Sequence, residues 1–167
     1  KSKIDLPVLI DVHTPAEVLK IKDVADIIQI PAFLCRQTDL LISAGKSKKI
    51  VNVKKGQFLS PQEVKLILEK IYSTGNKNVI ITERGTSFGY NNLVVDMRSL
   101  EIIKNIKCPV IFDATHSIQR PGLSPTGSGG DREFIDVLSR CAVAVGIAGI
   151  FMEVHPNPPK GWSDKDS

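Results

Sequence analysis

Short β-branched apolar runs recur along the chain, and each ends in polar residues. They are Pro7–Val12 (PVLIDV), Asp26–Ile30 (DIIQI), Lys49–Val53 (KIVNV), Asn78–Glu83 (NVIITE), Pro109–Ala114 (PVIFDA) and Gly149–Val154 (GIFMEV). Near-continuous apolarity of this kind marks parallel strands covered on both faces, because a strand with one wet face alternates instead. Helical patterns lie between the runs. Ser60–Tyr72 opens on an N-cap serine with Pro61 next and Glu63 three residues after Ser60, the spacing of a capping box, and Gly75 is placed to end it. Asp131–Val145 is a second clear helix, following the Gly-rich SPTGSGG. Strand and helix alternate, so the reading is α/β with a parallel sheet.

The polar strand ends are Asp11 and His13, Gln29, Lys54 and Lys55, Glu83 and Arg84, Asp113 and His116, and Glu153 and His155. In a (β/α)8 TIM barrel all such ends meet at one mouth, where substrates bind. In an open doubly wound sheet they meet only at a crevice. No GxGxxG follows the first strand and no Walker A sequence occurs, which speaks against dinucleotide and nucleoside-triphosphate binding. A barrel usually needs about 250 residues and eight strands, whereas this chain has 167 residues and six strand runs. Of the two architectures we favour the barrel, with six βα units present in residues 1–167 as one catalytic domain, incomplete at both ends.

With 42% apolar and 24% charged residues the composition is that of a globular protein, and with only 5% aromatic the core must come from Ile, Val, Leu and Ala. A net charge of +4 on scattered lysines, without a nucleic-acid-binding signature, suits small anionic substrates and argues against nucleic acid as a partner. No apolar run approaches the roughly 20 residues that cross a bilayer, so no membrane partner is expected. Cys35, Cys108 and Cys141 are odd in number, widely spaced and without a CxxC pair, which points to a reducing, cytoplasmic setting. Core packing is the expectation for Cys108 and Cys141.

Lys54, Arg84 and Arg36 bring positive charge from successive units, a convergence suited to phosphate and carboxylate groups. Each is equally readable as a solvated residue at a strand end. His116, Glu153 and Asp164 form a candidate oxygen-and-nitrogen site for divalent Mn, Fe or Zn, although residues so far apart in sequence are more often satisfied polar groups. His13 and His155 suit loop-fixing as well as acid–base work. Arg120–Gly130 (RPGLSPTGSGG) is too rich in Gly, Pro and Ser for regular structure and reads as an active-site loop or a surface connection.

The stretches IIQIPAFLCRQTDLL, NVKKGQF, ERGTSFGYNNLVVDM, FDATHSIQ and GIFMEVHP closely resemble the 3-deoxy-D-manno-octulosonate 8-phosphate synthases over nearly the whole chain. The 3-deoxy-heptulosonate 7-phosphate synthases share fewer of these pieces and come second. A sugar-phosphate-binding barrel piece without turnover is a further alternative. The resemblance implies a (β/α)8 barrel enzyme, typically a cytoplasmic homotetramer, that joins phosphoenolpyruvate to arabinose 5-phosphate with release of phosphate, a step of lipopolysaccharide inner-core biosynthesis. It implies that Gln29, the backbone near Ala32, Lys54 and Arg84 hold phosphoenolpyruvate. It implies further that Asp11 contacts the aldose and that Arg36 reaches the sugar phosphate of a neighbouring subunit. His116, Glu153 and Asp164 match three metal positions of the metal-dependent members, and we read His116 and Asp164 as catalytic also. The family's fourth metal position, Cys in metal-dependent members and Asn in the others, lies in a first-strand region with no counterpart in these residues. A divalent ion is therefore the one cofactor expected, and only for the metal-dependent class.

Overall fold

A computed structural model describes residues 5–124 and 127–161. The chain begins with β1 (Leu9–Asp11), α1 (Pro15–Ile21), β2 (Ile27–Ile30), α2 (Thr38–Lys46), β3 (Ile50–Lys54) and α3 (Val64–Tyr72). It continues with β4 (Val79–Glu83), a small hairpin of β5 (Thr86–Ser87) and β6 (Leu93–Val94), then α4 (Met97–Asn105) and β7 (Val110–Asp113). A second hairpin, β8 (Gln119–Ser124) and β9 (Gly127–Gly130), precedes α5 (Ile135–Val145) and β10 (Gly149–Phe151).

The main sheet has six parallel strands in the order β1-β2-β3-β4-β7-β10, which is chain order once the hairpins are set aside. That order separates the two architectures. A doubly wound sheet reverses direction at a switch point, whereas a barrel adds each strand beside its predecessor. The helices form one layer, with α1 against α2, α2 against α3, and α4 against α5. The sheet is a curled half-barrel. Asp11 on β1 and His116 just after β7 line one cleft, although four strand spacings in a flat sheet would put them about 19 Å apart.

Strand parity sorts the side chains. Ile28, Ile30, Val51, Val53, Val79, Ile81, Val110 and Phe112 are buried in the core, where the sheet meets Val18, Leu41, Ile67, Leu68, Leu100 and Ile103 of the helices. The intervening positions Gln29, Asn52 and Thr82 hydrogen-bond to one another across strands and so share the opposite, concave face. The helix starts follow the sequence. Thr14 accepts from the Glu17 amide at 3.3 Å ahead of Pro15. Glu63 closes the capping box on the Ser60 amide at 3.0 Å, where a short 3-10 turn leads into α3.

Three expectations need correction. Within Arg120–Gly130 the described residues are paired strands after all, with Gln119 opposite Gly130 and Arg120 opposite Gly129 in the β8–β9 pair. The Arg120 guanidinium, 2.7 Å from Asp131, ties its base, a long-range pairing that composition does not reveal. The last strand stops at Phe151, leaving Met152–Val154 in irregular chain. Cys141 is exposed on α5, not packed in the core, whereas Cys35 and Cys108 are buried. Among the described residues no helix is long and apolar enough to cross a membrane.

Burial pushes the Cys35 thiol up and the Cys108 thiol up to about 11, so both stay protonated and shielded near neutral pH. Alkylation of the folded protein at pH 8 should therefore label Cys141 first, with Cys35 and Cys108 labelled only after denaturant is added. Peptide mass spectrometry over a time course checks this order.

Candidate active site

The loops at the C-terminal ends of the strands enclose a cleft of about 260 Å³ lined by Asp11, Ala32, Lys54, Gln57, Arg84, His116 and Gln119, with Pro31, Phe33 and Pro121 at its edge. Lys54 is the last residue of β3 and points into the curl. Its Nζ lies 2.9 Å from Asp113 Oδ2 and 3.9 Å from the centre of the Phe151 ring, so strands β3, β7 and β10 meet at one ammonium. The next residue, Lys55, points the other way by strand alternation. It is fully buried, 3.5 Å from Glu83, and donates to the carbonyls of Gly56 and Leu59. Two adjacent lysines thus serve opposite faces of the sheet.

Glu83 and Arg84 repeat this division on β4. Glu83 Oε1 also accepts from the Gly85 amide at 2.8 Å. Gly85 has φ +86°, and a side chain there would be strained as the chain turns into β5. Arg84 is buried and donates to Gln119 Oε1 at 2.8 Å, which ties it to the first residue of β8. Gly56 has no room for a Cβ, which would sit 2.7 Å from the Phe58 ring and 3.0 Å from the Cys35 sulfur. The motifs KKG and ERG are each a strand end with one ion-pair face, one cleft face and a turn.

Asp113 is the centre of the cleft's polar wall. It is fully buried and accepts the His116 amide at 2.9 Å, while its Oδ2 stands 2.8 Å from His116 Nδ1. Burial acts to raise its pKa, but the hydrogen bonds and charge of His116 together with Lys54 outweigh burial and hold the carboxyl below the ordinary aspartate value. A carboxylate only accepts, so Nδ1 carries the proton of the ring. The other nitrogen, Nε2, faces Glu153 Oε1 at 3.2 Å. The two groups stand close enough to share a proton or a cation. Glu153 is brought in by its own amide, which donates to Thr115 Oγ1 at 2.9 Å.

These residues fit a divalent ion in part. Ligand atoms around an ion at about 2.0–2.2 Å sit roughly 3 to 3.5 Å apart, and a carboxylate behind the second ring nitrogen is the usual support of a metal-bound histidine. Among the described residues no group of three or more His, Cys, Asp or Glu side chains is spaced to hold an ion. Asp164, the third expected ligand, lies outside the described residues.

Of the other expected site residues, Asp11, Ala32, Lys54, Arg84 and His116 line the cleft. Gln29 stands behind its wall, with Nε2 donating to Asp11 Oδ1 at 2.6 Å and Oε1 accepting from Asn52 at 2.7 Å. Arg36 is half exposed and pairs with Glu63 at 3.5 Å, away from the cleft-lining residues. His13 and His155 stay outside, the first beside Glu17 and the second accepting from the Asn157 amide. The sequence reading gave no role to Asp113, Gln57, Gln119, Asn52 or Thr82. Inner-face parity, taken as i and i−2 from Lys54 and Arg84, is the signal that would have found Asn52 and Thr82.

The model of the DAHP synthetase I family matches residues 1–167. The chain belongs to this family. A protein named 2-dehydro-3-deoxyphosphooctonate aldolase, from Syntrophotalea carbinolica, is 57% identical over 95% of the chain and 57% of its own length. Proteins of the same name from Geobacter sulfurreducens and Bartonella henselae are 56% and 53% identical over 98% of the chain, covering 60% and 59% of their own lengths. The chain therefore spans 57–60% of the length of these family relatives.

Removing the carboxylate of Asp113 strands a buried lysine and frees the histidine. Asp113→Ala should cost roughly 3–5 kcal/mol, the usual penalty for breaking a buried ion pair from one side. Denaturant-unfolding midpoints of the two proteins measure it, and a loss below about 1 kcal/mol would mean that solvent already screens the pair.

Proposed function

We propose that this chain is the larger part of a 2-dehydro-3-deoxyphosphooctonate aldolase, the enzyme that condenses phosphoenolpyruvate, D-arabinose 5-phosphate and water to 3-deoxy-D-manno-octulosonate 8-phosphate and phosphate. The observation that carries the reading is the relatives' shared name at 53–57% identity over 95–98% of the chain. The cationic cleft supports it, because both substrates are phosphorylated. The whole enzyme is then an eight-stranded barrel to which these residues contribute six consecutive strands, a cytoplasmic homotetramer in which Arg36 reaches a neighbouring subunit's sugar phosphate.

In this reading Lys54 and Arg84 hold phosphoenolpyruvate beside Ala32, with Arg offering a fork of donors and Lys a point charge. Asp11 accepts from a hydroxyl of the aldose across the cleft. Carbon 3 of phosphoenolpyruvate bonds to the aldehyde carbon, whose oxygen gains a proton. Water adds to carbon 2 and loses a proton, and the resulting tetrahedral carbon expels phosphate to leave the ketone. Two anionic substrates repel one another, and fixed cations that hold them close supply much of the acceleration. Lys54 enters the reaction already paired with Asp113. His116 and Glu153, with Asp164, would hold a divalent ion in the metal-dependent class, where it supplies Lewis-acid polarisation of an aldehyde or a water.

The full-length enzyme should release phosphate only when phosphoenolpyruvate and arabinose 5-phosphate are both present. A faster reaction with erythrose 4-phosphate would move the assignment to the 3-deoxy-heptulosonate 7-phosphate synthases. Arg84→Ala should weaken phosphoenolpyruvate binding by about 1.5–3 kcal/mol, the loss of a charge-assisted hydrogen bond. Titration calorimetry reads this, and unchanged affinity would remove Arg84 from the site. Chelation that abolishes turnover, with recovery on Mn, Fe or Zn, assigns the metal-dependent class, and indifference to chelation assigns the other.

A further inference from the structure

We infer that Asn52 and Thr82, which do not line the cleft, are positioning residues that set the orientation of the Asp11 carboxylate and so the recognition of a hydroxyl on the phosphorylated aldose. The inference rests on the proposed function for the identity of the ligand, but the side-chain row behind it is independent of that reading.

The first four strands each contribute one polar side chain to a row across the concave face, and the four are joined end to end. Thr82 Oγ1 donates to Asn52 Oδ1 at 2.8 Å, Asn52 Nδ2 donates to Gln29 Oε1 at 2.7 Å, and Gln29 Nε2 donates to Asp11 Oδ1 at 2.6 Å. Thr82, Asn52 and Gln29 are 0%, 1% and 3% exposed, whereas Asp11 is exposed at the cleft. Branched apolar side chains usually fill the layers inside such a barrel. Here a buried polar row replaces them, and it surfaces at the cleft at one end.

The row has only one self-consistent sense. The Asp11 carboxylate can only accept, so Gln29 must turn its Nε2 toward it and its carbonyl toward Asn52. Asn52 must then offer Nδ2 to Gln29 and present Oδ1 to a donor, which the Thr82 hydroxyl supplies. The sense is set by the acceptor-only carboxylate at the cleft end, and each neighbour further from the cleft completes the hydrogen bond that the next amide then needs. At the near end Asp11 gives up one oxygen to Gln29, which fixes the carboxylate plane and directs Oδ2 to a ligand donor. An exposed carboxylate without this anchor turns freely and selects no particular hydroxyl. A sugar hydroxyl is the matching ligand group, since it donates one hydrogen bond in a defined direction.

The test compares full-length wild-type enzyme with Asn52→Asp, Thr82→Val and Thr82→Ser. Asn52→Asp is isosteric but can only accept, so Gln29 should turn over and present its carbonyl to Asp11, driving that carboxylate out of position. The expected result is a KM for arabinose 5-phosphate raised about tenfold, the scale of one charge-assisted hydrogen bond, with the KM for phosphoenolpyruvate unchanged. Thr82→Val should shift the same constant in the same direction, and Thr82→Ser should restore it. Crystal structures of wild type and Thr82→Val report the Asp11 rotamer without reference to turnover. A KM that does not move, or two KM values that rise together, or an unmoved Asp11 overturns the inference. Should Asn52→Asp fail to fold, the Val and Ser variants of Thr82 decide alone. A wild-type enzyme that does not turn over arabinose 5-phosphate defeats the functional reading instead, and the Asp11 rotamer in the two crystal structures then decides the row on its own.

Discussion

Asp113 gathers Lys54 and His116 onto one buried carboxylate, at 2.9 Å and 2.8 Å. These contacts bring strands β3 and β7 and the loop after β7 to a single point inside the curl. Low exposure makes such a cluster costly unless its polar groups are answered, and here they are: lysine by aspartate, and the ring nitrogens by aspartate on one side and by Glu153 on the other. The cleft inherits its shape from this requirement. Lys54 cannot swing away without leaving the buried Asp113 short of its ammonium, and His116 cannot turn its ring without giving up the Asp113 contact at Nδ1. The site is therefore rigid before any ligand arrives, which is what a reaction that depends on closeness requires.

A second buried pair, Lys55 with Glu83, lies on the opposite face and joins the ends of β3 and β4 from the helix side. Lys54 and Arg84 project from a backbone held in register as Lys54 opposite Thr82. The hairpins complete the wall. Asn91 in the β5–β6 hairpin donates to the carbonyl of Pro121 in β8, and Gln119 at the base of β8 takes Arg84. Segments that look like loose connections in sequence carry the polar groups that orient the cation.

The parallel strands, their apolar runs, the α/β alternation and the capping box of the third helix were legible in sequence because each depends on residues within one turn or one strand of each other. The polar strand ends were legible for the same reason, and Asp11, Lys54, Arg84 and His116 do meet at one cleft. The β8–β9 hairpin was missed because its pairing depends on Arg120 meeting Asp131 across the loop and on glycines facing Gln119 and Arg120. Cys141 was misassigned because a helix face becomes buried or exposed only once its neighbours are in place.

The sequence by itself determined the α/β class, the strand and helix segments and the polar character of one end of the sheet, all consequences of local periodicity and side-chain chemistry. Only the tertiary structure decided that the sheet curls, that Lys54 and Lys55 serve opposite faces, that Asp113 is shared by Lys54 and His116, and that Gln29 stands behind Asp11. Those outcomes depend on which strand lies next to which and with what stagger. Register is set by packing across the whole sheet, and a displacement of one residue along a strand turns every inward side chain outward.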